Sequence, residues 1–134
     1  MRKLTRREGI LTGAAAVVAL CLIGALSVNV FLERSALSIA RTWARVAPLP
    51  ASARDLEVDV LGSMFTREFE VSFKASPQEI TEWLRRSPGI QDAGPPQVRG
   101  SLCRYVIKPG GGAQWAEVKV DARWNRVTIR TYWS

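Results

Sequence analysis

The feature that most constrains this chain is an uncharged stretch of 23 residues from Ile10 to Leu32. At about 1.5 Å of rise per residue, a helix over this stretch would be roughly 35 Å long, and a hydrocarbon core is about 30 Å thick. Asn29 falls near the end of the stretch, where its amide can reach water. The sequence therefore predicts a transmembrane helix over residues 10–32, with the lipid bilayer as its partner.

A cleaved export signal is the alternative interpretation of this stretch. Ala25 and Ser27 are small enough to flank a cleavage site, but the apolar stretch continues past them to Leu32. Arg6–Arg7 resembles part of a twin-arginine signal, although Gly9 stands where that pattern has a bulky apolar residue. The length of the apolar stretch favours an uncleaved anchor.

The net charge of +7 is concentrated beside the apolar stretch. Residues 1–9 carry a net charge of +3 and residues 33–48 carry +2, whereas the chain from Leu49 onward has 12 basic and 10 acidic residues. Because basic residues favour the cytoplasmic side of a membrane, residues 1–9 are predicted to be a cytoplasmic tail and the C-terminal domain to be extracytoplasmic. The nearly balanced charge of that domain argues against nucleic acid as a partner.

Residues 33–50 predict a juxtamembrane helix followed by a proline-rich joint. Three arginines fall along one side of this helix, where they would face solvent or touch anionic lipid headgroups. Pro48 and Pro50 end the helix and lead into a domain over residues 51–134. The three arginines are Arg34, Arg41 and Arg45.

Residues 51–134 predict a small α+β domain. Apolar and acidic residues alternate from Leu56 to Val60, and apolar and charged residues alternate from Arg67 to Lys74. A period of two is typical of a strand with one buried face, so both stretches predict half-buried strands.

The next stretch, ASPQEITEWLRRSPG, predicts a helix. Ser76 fits the N-cap and Pro77 the first helical position, while Glu79 completes a capping box with Ser76. Helical spacing predicts a buried side made of Ile80, Trp83 and Leu84.

After a Gly- and Pro-rich loop over residues 90–100, three further strands are predicted at residues 102–108, 114–123 and 126–133. Trp124–Asn125 would form the turn between the last two. The order β-β-α-β-β-β predicts an antiparallel sheet with one helix packed on one face. The aromatic side chains expected to fill the core are Phe69, Phe73, Trp83, Tyr105 and Trp133.

The residues that could carry chemistry form no catalytic pattern. The chain has no histidine, which is the commonest general base and metal ligand. The glycine-rich stretch from Lys108 to Gln114 leads into a predicted strand, so it predicts a hairpin connection and not a phosphate-binding loop. Acidic residues spaced by two, such as Glu68 and Glu70, fit a solvated strand face better than a calcium site. The sequence thus predicts a non-enzymatic protein with no cofactor and no metal site.

One surface stands out as a candidate site for a partner. If the last hairpin turns at Trp124–Asn125, three side chains lie on the face opposite the core. Two aromatic rings and an arginine are residue types enriched at binding hot spots. The alternative is that the juxtamembrane helix, or ordinary cross-strand pairing with Glu117 and Lys119, covers them. These three residues are Trp115, Arg130 and Tyr132.

The basic tail, the single span, the stretch APLPASARDLEV and the terminal VTIRTYWS together resemble a family of short bacterial single-pass membrane-anchored proteins of uncharacterised role. The resemblance implies a location in the bacterial cell envelope and an architecture, and it assigns no site residues. The function predicted from the sequence is a membrane-anchored envelope protein that presents a small module to a protein or cell-wall partner. The alternative is an exported soluble enzyme or ligand-binding protein released by cleavage.

Overall fold

A computed structural model describes the backbone of residues 6–134 and the side chains of residues 13–134, so part of the predicted cytoplasmic tail lies outside the described residues. The helices are α1 (Arg6–Ala44), α2 (Pro77–Arg86) and α3 (Pro88–Gln91). The strands are β1 (Arg54–Gly62), β2 (Arg67–Lys74), β3 (Gln97–Arg99), β4 (Leu102–Ile107), β5 (Trp115–Asp121) and β6 (Arg126–Trp133).

The chain divides into two compact units, Met1–Arg34 and Ser35–Ser134. In the first unit, the large apolar side chains of α1 from Val17 to Leu32 are exposed. Within the described residues, α1 contains one stretch that is long and apolar enough to cross a membrane, Gly13–Ala44. Such a helix near the N-terminus fits a membrane anchor or a signal sequence. The second unit includes most of the segment predicted as juxtamembrane helix and joint.

The second unit is an antiparallel sheet of six strands in the order β1-β2-β6-β5-β4-β3. The predicted α+β class is therefore confirmed. The structure has one strand more than the five that were predicted. This additional strand is β3, which lies in the segment predicted as a loop. Arg99 pairs with Leu102 across a tight turn in which Gly100 has a φ of 56°. Glycine adopts this left-handed conformation without steric cost, so the turn can form.

The inner face of the sheet, which carries Val71, Val118 and Ile129, is covered by helical residues. These three side chains are fully buried. Helix α2 begins with the predicted capping box, in which Ser76 accepts from the backbone of Glu79. Alternation along β2, β4, β5 and β6 supplies the rest of this face, whose other buried apolar members are Phe69, Phe73, Ile107, Ala116, Val120 and Val127.

Helix α2 is fastened to the sheet and to the chain that follows α1 through Trp83. The ring of Trp83 stands edge-on to Phe73, with 5.5 Å between centroids. Its indole nitrogen donates to the carbonyl of Ala47 at 3.0 Å, and the Ala47 amide donates to Ser87 Oγ at 3.0 Å. Both backbone groups of Ala47 are thus satisfied, by Trp83 of α2 and by Ser87 directly after α2, which allows this irregular segment to be buried.

The last turns of α1 also cover the inner face. Ala36, Ala40 and Ala44 are buried, because their small side chains allow close packing. Trp43 stands edge-on to Phe69, with 5.2 Å between ring centroids.

Two expectations about burial are wrong. Strand β1 is exposed along its length except for half-buried Val58, because it lies at the sheet edge. Trp133 is 42% exposed, because its pairing with exposed Arg67 places it at the end of the sheet. Of the predicted core aromatics, Tyr105 is only partly buried.

We expect Trp83→Ala to destabilise the second unit by about 3–5 kcal/mol, since the substitution removes a fully buried ring and an indole hydrogen bond. In detergent, the thermal midpoint measured by circular dichroism should fall by more than roughly 12 °C. Trp124→Ala is the matched control, because Trp124 is exposed in the β5–β6 turn. Equal midpoints for the two variants would contradict the packing of α2 on the sheet.

Candidate functional site

The candidate site lies on the outer face of the sheet, opposite the inner face. Successive side chains of a strand point to opposite faces, so the strand pairings assign the members of this face. On the central strands they are Glu68, Glu70, Ser72 and Lys74 of β2, Arg126, Thr128, Arg130 and Tyr132 of β6, Trp115, Glu117, Lys119 and Asp121 of β5, and Leu102, Arg104 and Val106 of β4.

The structure brings the three residues predicted from the sequence together on this face. Trp115 lies directly opposite Tyr132 in the pairing of β5 with β6. The guanidinium carbon of Arg130 lies 5.9 Å from the centroid of the Trp115 ring, within the range of a cation–π contact. All three residues are half-buried. We call this set the aromatic patch.

The end of the β5–β6 hairpin is held by Gln114, just before Trp115. The Gln114 amide donates to the Tyr132 carbonyl at 2.9 Å. Its side chain donates to the Ser134 carbonyl at 2.8 Å and accepts from the Ser134 hydroxyl at 2.7 Å. These bonds fix the positions from which the two aromatic rings project.

Arg130 is already matched by acidic side chains of β2. Its Nε donates to the Glu68 carboxylate, and Glu70 Oε2 lies 3.8 Å from the same nitrogen. The hydrogen bond to Glu68 raises the pKa of Arg130, and the nearby carboxylates of Glu70 and Glu117 act in the same direction. A ligand at the aromatic patch therefore meets two rings beside a guanidinium that is held in place.

Glu117 is the central charged residue of the outer face, and the sequence indicated it only as a possible cross-strand partner of the aromatic residues. It is only 2% exposed although it lies on the outer face, because cationic side chains cover it. Its carboxylate accepts from Arg104 at 2.5 Å and contacts Lys119 Nζ at 2.9 Å. Burial alone would raise the pKa of Glu117, but the bonds from Lys119 and Arg104 outweigh burial and lower it. The signal in the sequence was a carboxylate on predicted strand β5, with Lys119 two residues later and arginines on the adjacent predicted strands.

The glycine-rich stretch from Lys108 is explained by packing against α1. The Gly110 amide donates to the Trp43 carbonyl at 2.9 Å. Gly111 has a φ of 62°, and a Cβ there would lie 2.6 Å from the Trp43 ring. Glycine is needed because the backbone approaches the indole too closely for any side chain.

The acidic residues of β1 do not assemble a metal site. Asp55 pairs with Lys74 at 3.3 Å, whereas Glu57 lies 3.4 Å from Arg126. No group of three or more His, Cys, Asp or Glu side chains within residues 13–134 is placed to hold a metal ion.

A groove beside the end of α1 contains part of the predicted arginine stripe. Arg45 in this groove pairs with Asp92 at 2.6 Å, so its charge is neutralised. The groove is open to solvent and has mixed polar and apolar walls, unlike the enclosed apolar sites that bind small molecules.

Comparison of the chain with protein-family models, with curated proteins and with solved structures finds no match.

We expect Glu117→Gln to lower the stability of the second unit at pH 7 by about 1–2 kcal/mol, because it leaves Arg104 and Lys119 without their anionic partner while both remain partly solvated. Glu82→Gln is the matched control, since Glu82 pairs with Arg85 and Arg86 on the exposed side of α2. The control should change stability by less than about 0.5 kcal/mol.

The pH dependence of stability should also identify Glu117. Its pKa is lowered by folding, so its contribution is present above the ordinary value of 4.5 and is lost as the pH falls through the lower, folded-state pKa. The thermal midpoint of the parent should therefore fall more steeply below about pH 4.5 than that of Glu117→Gln. Identical acid profiles would show that Glu117 is not ionised and paired in the folded state.

Proposed function

We propose that this chain is a non-enzymatic protein of the bacterial cell envelope, anchored by α1, with its second unit outside the cytoplasm. The support for anchoring is the length of the apolar stretch in α1 together with the basic residues that precede it. The second unit acts as an interaction module that binds a protein or a cell-wall polymer through the aromatic patch.

The observation that carries this proposal is the position of Trp115, Tyr132 and Arg130 on one strand surface. Aromatic rings and arginines dominate binding energies at interfaces because they provide large contact areas. The ion pair with Glu68 and the Gln114–Ser134 bonds hold the patch in one arrangement before binding. A preorganised surface loses less conformational entropy when a partner binds, so more of the contact energy appears as affinity.

Release of a soluble protein by cleavage is the second candidate. The possible cleavage site between Ala25 and Ser27 lies before the second unit, which begins at Ser35. Cleavage there would leave intact the turns of α1 that carry the buried residues Ala40 and Ala44. Fractionation separates the two candidates, because an anchored chain stays at full length in washed membranes and a cleaved chain enters the soluble fraction.

The predicted orientation has a direct test. An enzyme reporter that works only in the cytoplasm should be inactive when it is fused after Ser134, and one that works only outside should be active. The reason is the excess of basic residues before the apolar stretch. The reverse pair of activities would contradict the proposed topology.

The aromatic patch is tested by the double variant Trp115→Ala/Tyr132→Ala. The full-length variant is used as bait in detergent extracts and in sedimentation with purified cell-wall polymer. Loss of two hot-spot rings should weaken binding of a partner at least about tenfold. Trp124→Ala is the matched control, because it removes an exposed ring that lies in the turn.

The thermal midpoint of the double variant is measured first, so that loss of binding is not confused with unfolding. A folded double variant that retains every protein and polymer bound by the parent would show that the aromatic patch is not the binding surface.

A further inference from the structure

The two edges of the sheet differ in how open they are to another strand. Edge strand β3 has only three residues, follows Pro95–Pro96 and carries Arg99, and short length, proline and charge all hinder strand addition. Edge strand β1 has nine residues, and its pairing with β2 is regular from Glu57 to Gly62. On the side that faces away from β2, β1 therefore presents backbone N–H and C=O groups that pair with no strand among the described residues.

Exposed apolar side chains are concentrated along this same edge. Met64 is 89% exposed and Phe65 is 77% exposed in the β1–β2 turn. The turn is ordered by the Ser63 amide, which donates to the Thr66 carbonyl at 3.1 Å, and by Ser63 Oγ, which accepts from the Phe65 amide at 3.2 Å. The large apolar side chains exposed on β1 itself are Leu56, Val60 and Leu61. Exposed apolar side chains gathered along one edge are typical of an interaction site.

The charge of β1 indicates the chemistry of the partner. Glu57 and Asp59 point to the outer face, and Asp59 lies opposite Glu70 of β2, a pair of like charges. Asp59 forms no ion pair with the side chains that the structure describes, and the Glu57 carboxylate is 61% exposed beside Arg126. Cations on an added strand would pair with Asp59 and would approach the exposed side of Glu57, which Arg126 and the Ser72 hydroxyl already contact.

The same charges disfavour several registers in which β1 could pair with β1 of a second copy of this chain. When two β1 strands pair antiparallel in a register centred on Glu57, Val58 or Asp59, a carboxylate of one copy lies directly opposite a carboxylate of the other. Like charges in directly opposed positions destabilise a strand pair. A register centred on Val60 avoids this repulsion, but it places Asp59 opposite Leu61, so a second copy would supply Asp59 with no cation.

We propose that the free edge of β1, on the side away from β2, binds an extended segment of another protein in which Lys or Arg alternates with large apolar residues. Backbone hydrogen bonds to β1 provide affinity for the added strand. Its cations meet Glu57 and Asp59 on the outer face, while its apolar side chains cover the exposed Val60 on the inner face. This edge is a surface separate from the aromatic patch, so neither proposal depends on the other.

The test uses the full-length protein in nanodiscs of a zwitterionic lipid, so that a basic probe is not recruited by the bilayer. The probe is a seven-residue peptide of alternating valine and lysine, which presents the same pattern in either strand direction. Its binding should slow amide hydrogen exchange in residues 57–62 and leave exchange in residues 97–99 unchanged. A glutamate-for-lysine peptide should bind more weakly.

Two further probes separate strand addition from simple charge attraction. One has methyl groups on the backbone nitrogens of its three central residues, which removes donors while keeping the side chains. This methylated peptide should not measurably slow amide hydrogen exchange in residues 57–62. The other has the same composition with its lysines grouped together, and it should bind more weakly than the alternating peptide.

Asp59→Lys should weaken binding of the lysine peptide about threefold to tenfold and strengthen binding of the glutamate peptide, because one attractive cross-strand pair becomes repulsive. Glu82→Lys is the matched control with the same change of charge on α2, and it should bind the lysine peptide as the parent does. Asp59 is exposed on an edge strand, so Asp59→Lys should retain the parent's melting midpoint.

Three results would overturn the proposal. They are equal binding of the methylated and unmethylated peptides, protection away from β1, and slow exchange of residues 57–65 in nanodiscs without any peptide. The last result would show that lipid, and not a protein strand, covers this edge.

Discussion

Two tryptophan rings that stand edge-on to the phenylalanines of β2 join the helices to the sheet. Trp43, at the end of α1, meets Phe69, and Trp83 of α2 meets Phe73. A sheet of six strands has two faces, and the helical residues of the second unit are enough to cover only one of them. The division into a buried inner face and a polar outer face follows from that one-sided covering. The same packing requires glycine at position 111, because a side chain there would collide with the ring of Trp43.

The outer face is ordered by charge instead of by burial under helices. Arg104 of β4 and Lys119 of the same strand lie so close to Glu117 that water hardly reaches it. Arg130 is held in the same way by Glu68. The Glu117–Arg104 and Glu68–Arg130 pairs lie across strands. The Gln114–Ser134 bonds join the ends of β5 and β6, from which Trp115 and Tyr132 project. A surface with this rigidity is suited to binding a partner without rearrangement.

The exposed face of a sheet and its exposed edge pose different physical problems. Side chains can make a face soluble, but unpaired backbone groups at an edge remain available to any strand. In this chain, β3 is short and preceded by prolines, whereas β1 is long, exposes several apolar side chains and continues into the exposed turn at Met64 and Phe65. This contrast between the two edge strands is the reason for proposing that β1, and not β3, binds a strand of a partner.

The sequence by itself determined the features that depend on neighbouring residues. Its apolar stretch indicated the long N-terminal helix, its capping box located the start of α2, and its alternation placed Trp115, Arg130 and Tyr132 on one face. Only the tertiary structure decided what depends on strand order. Alternation assigns a face but not a neighbour, so the exposure of β1, the exposure of Trp133, the ion pair between Glu68 and Arg130 and the burial of Glu117 could not be predicted. Each of these follows from which strand lies beside which, and that order is set by long-range contacts of the whole sheet.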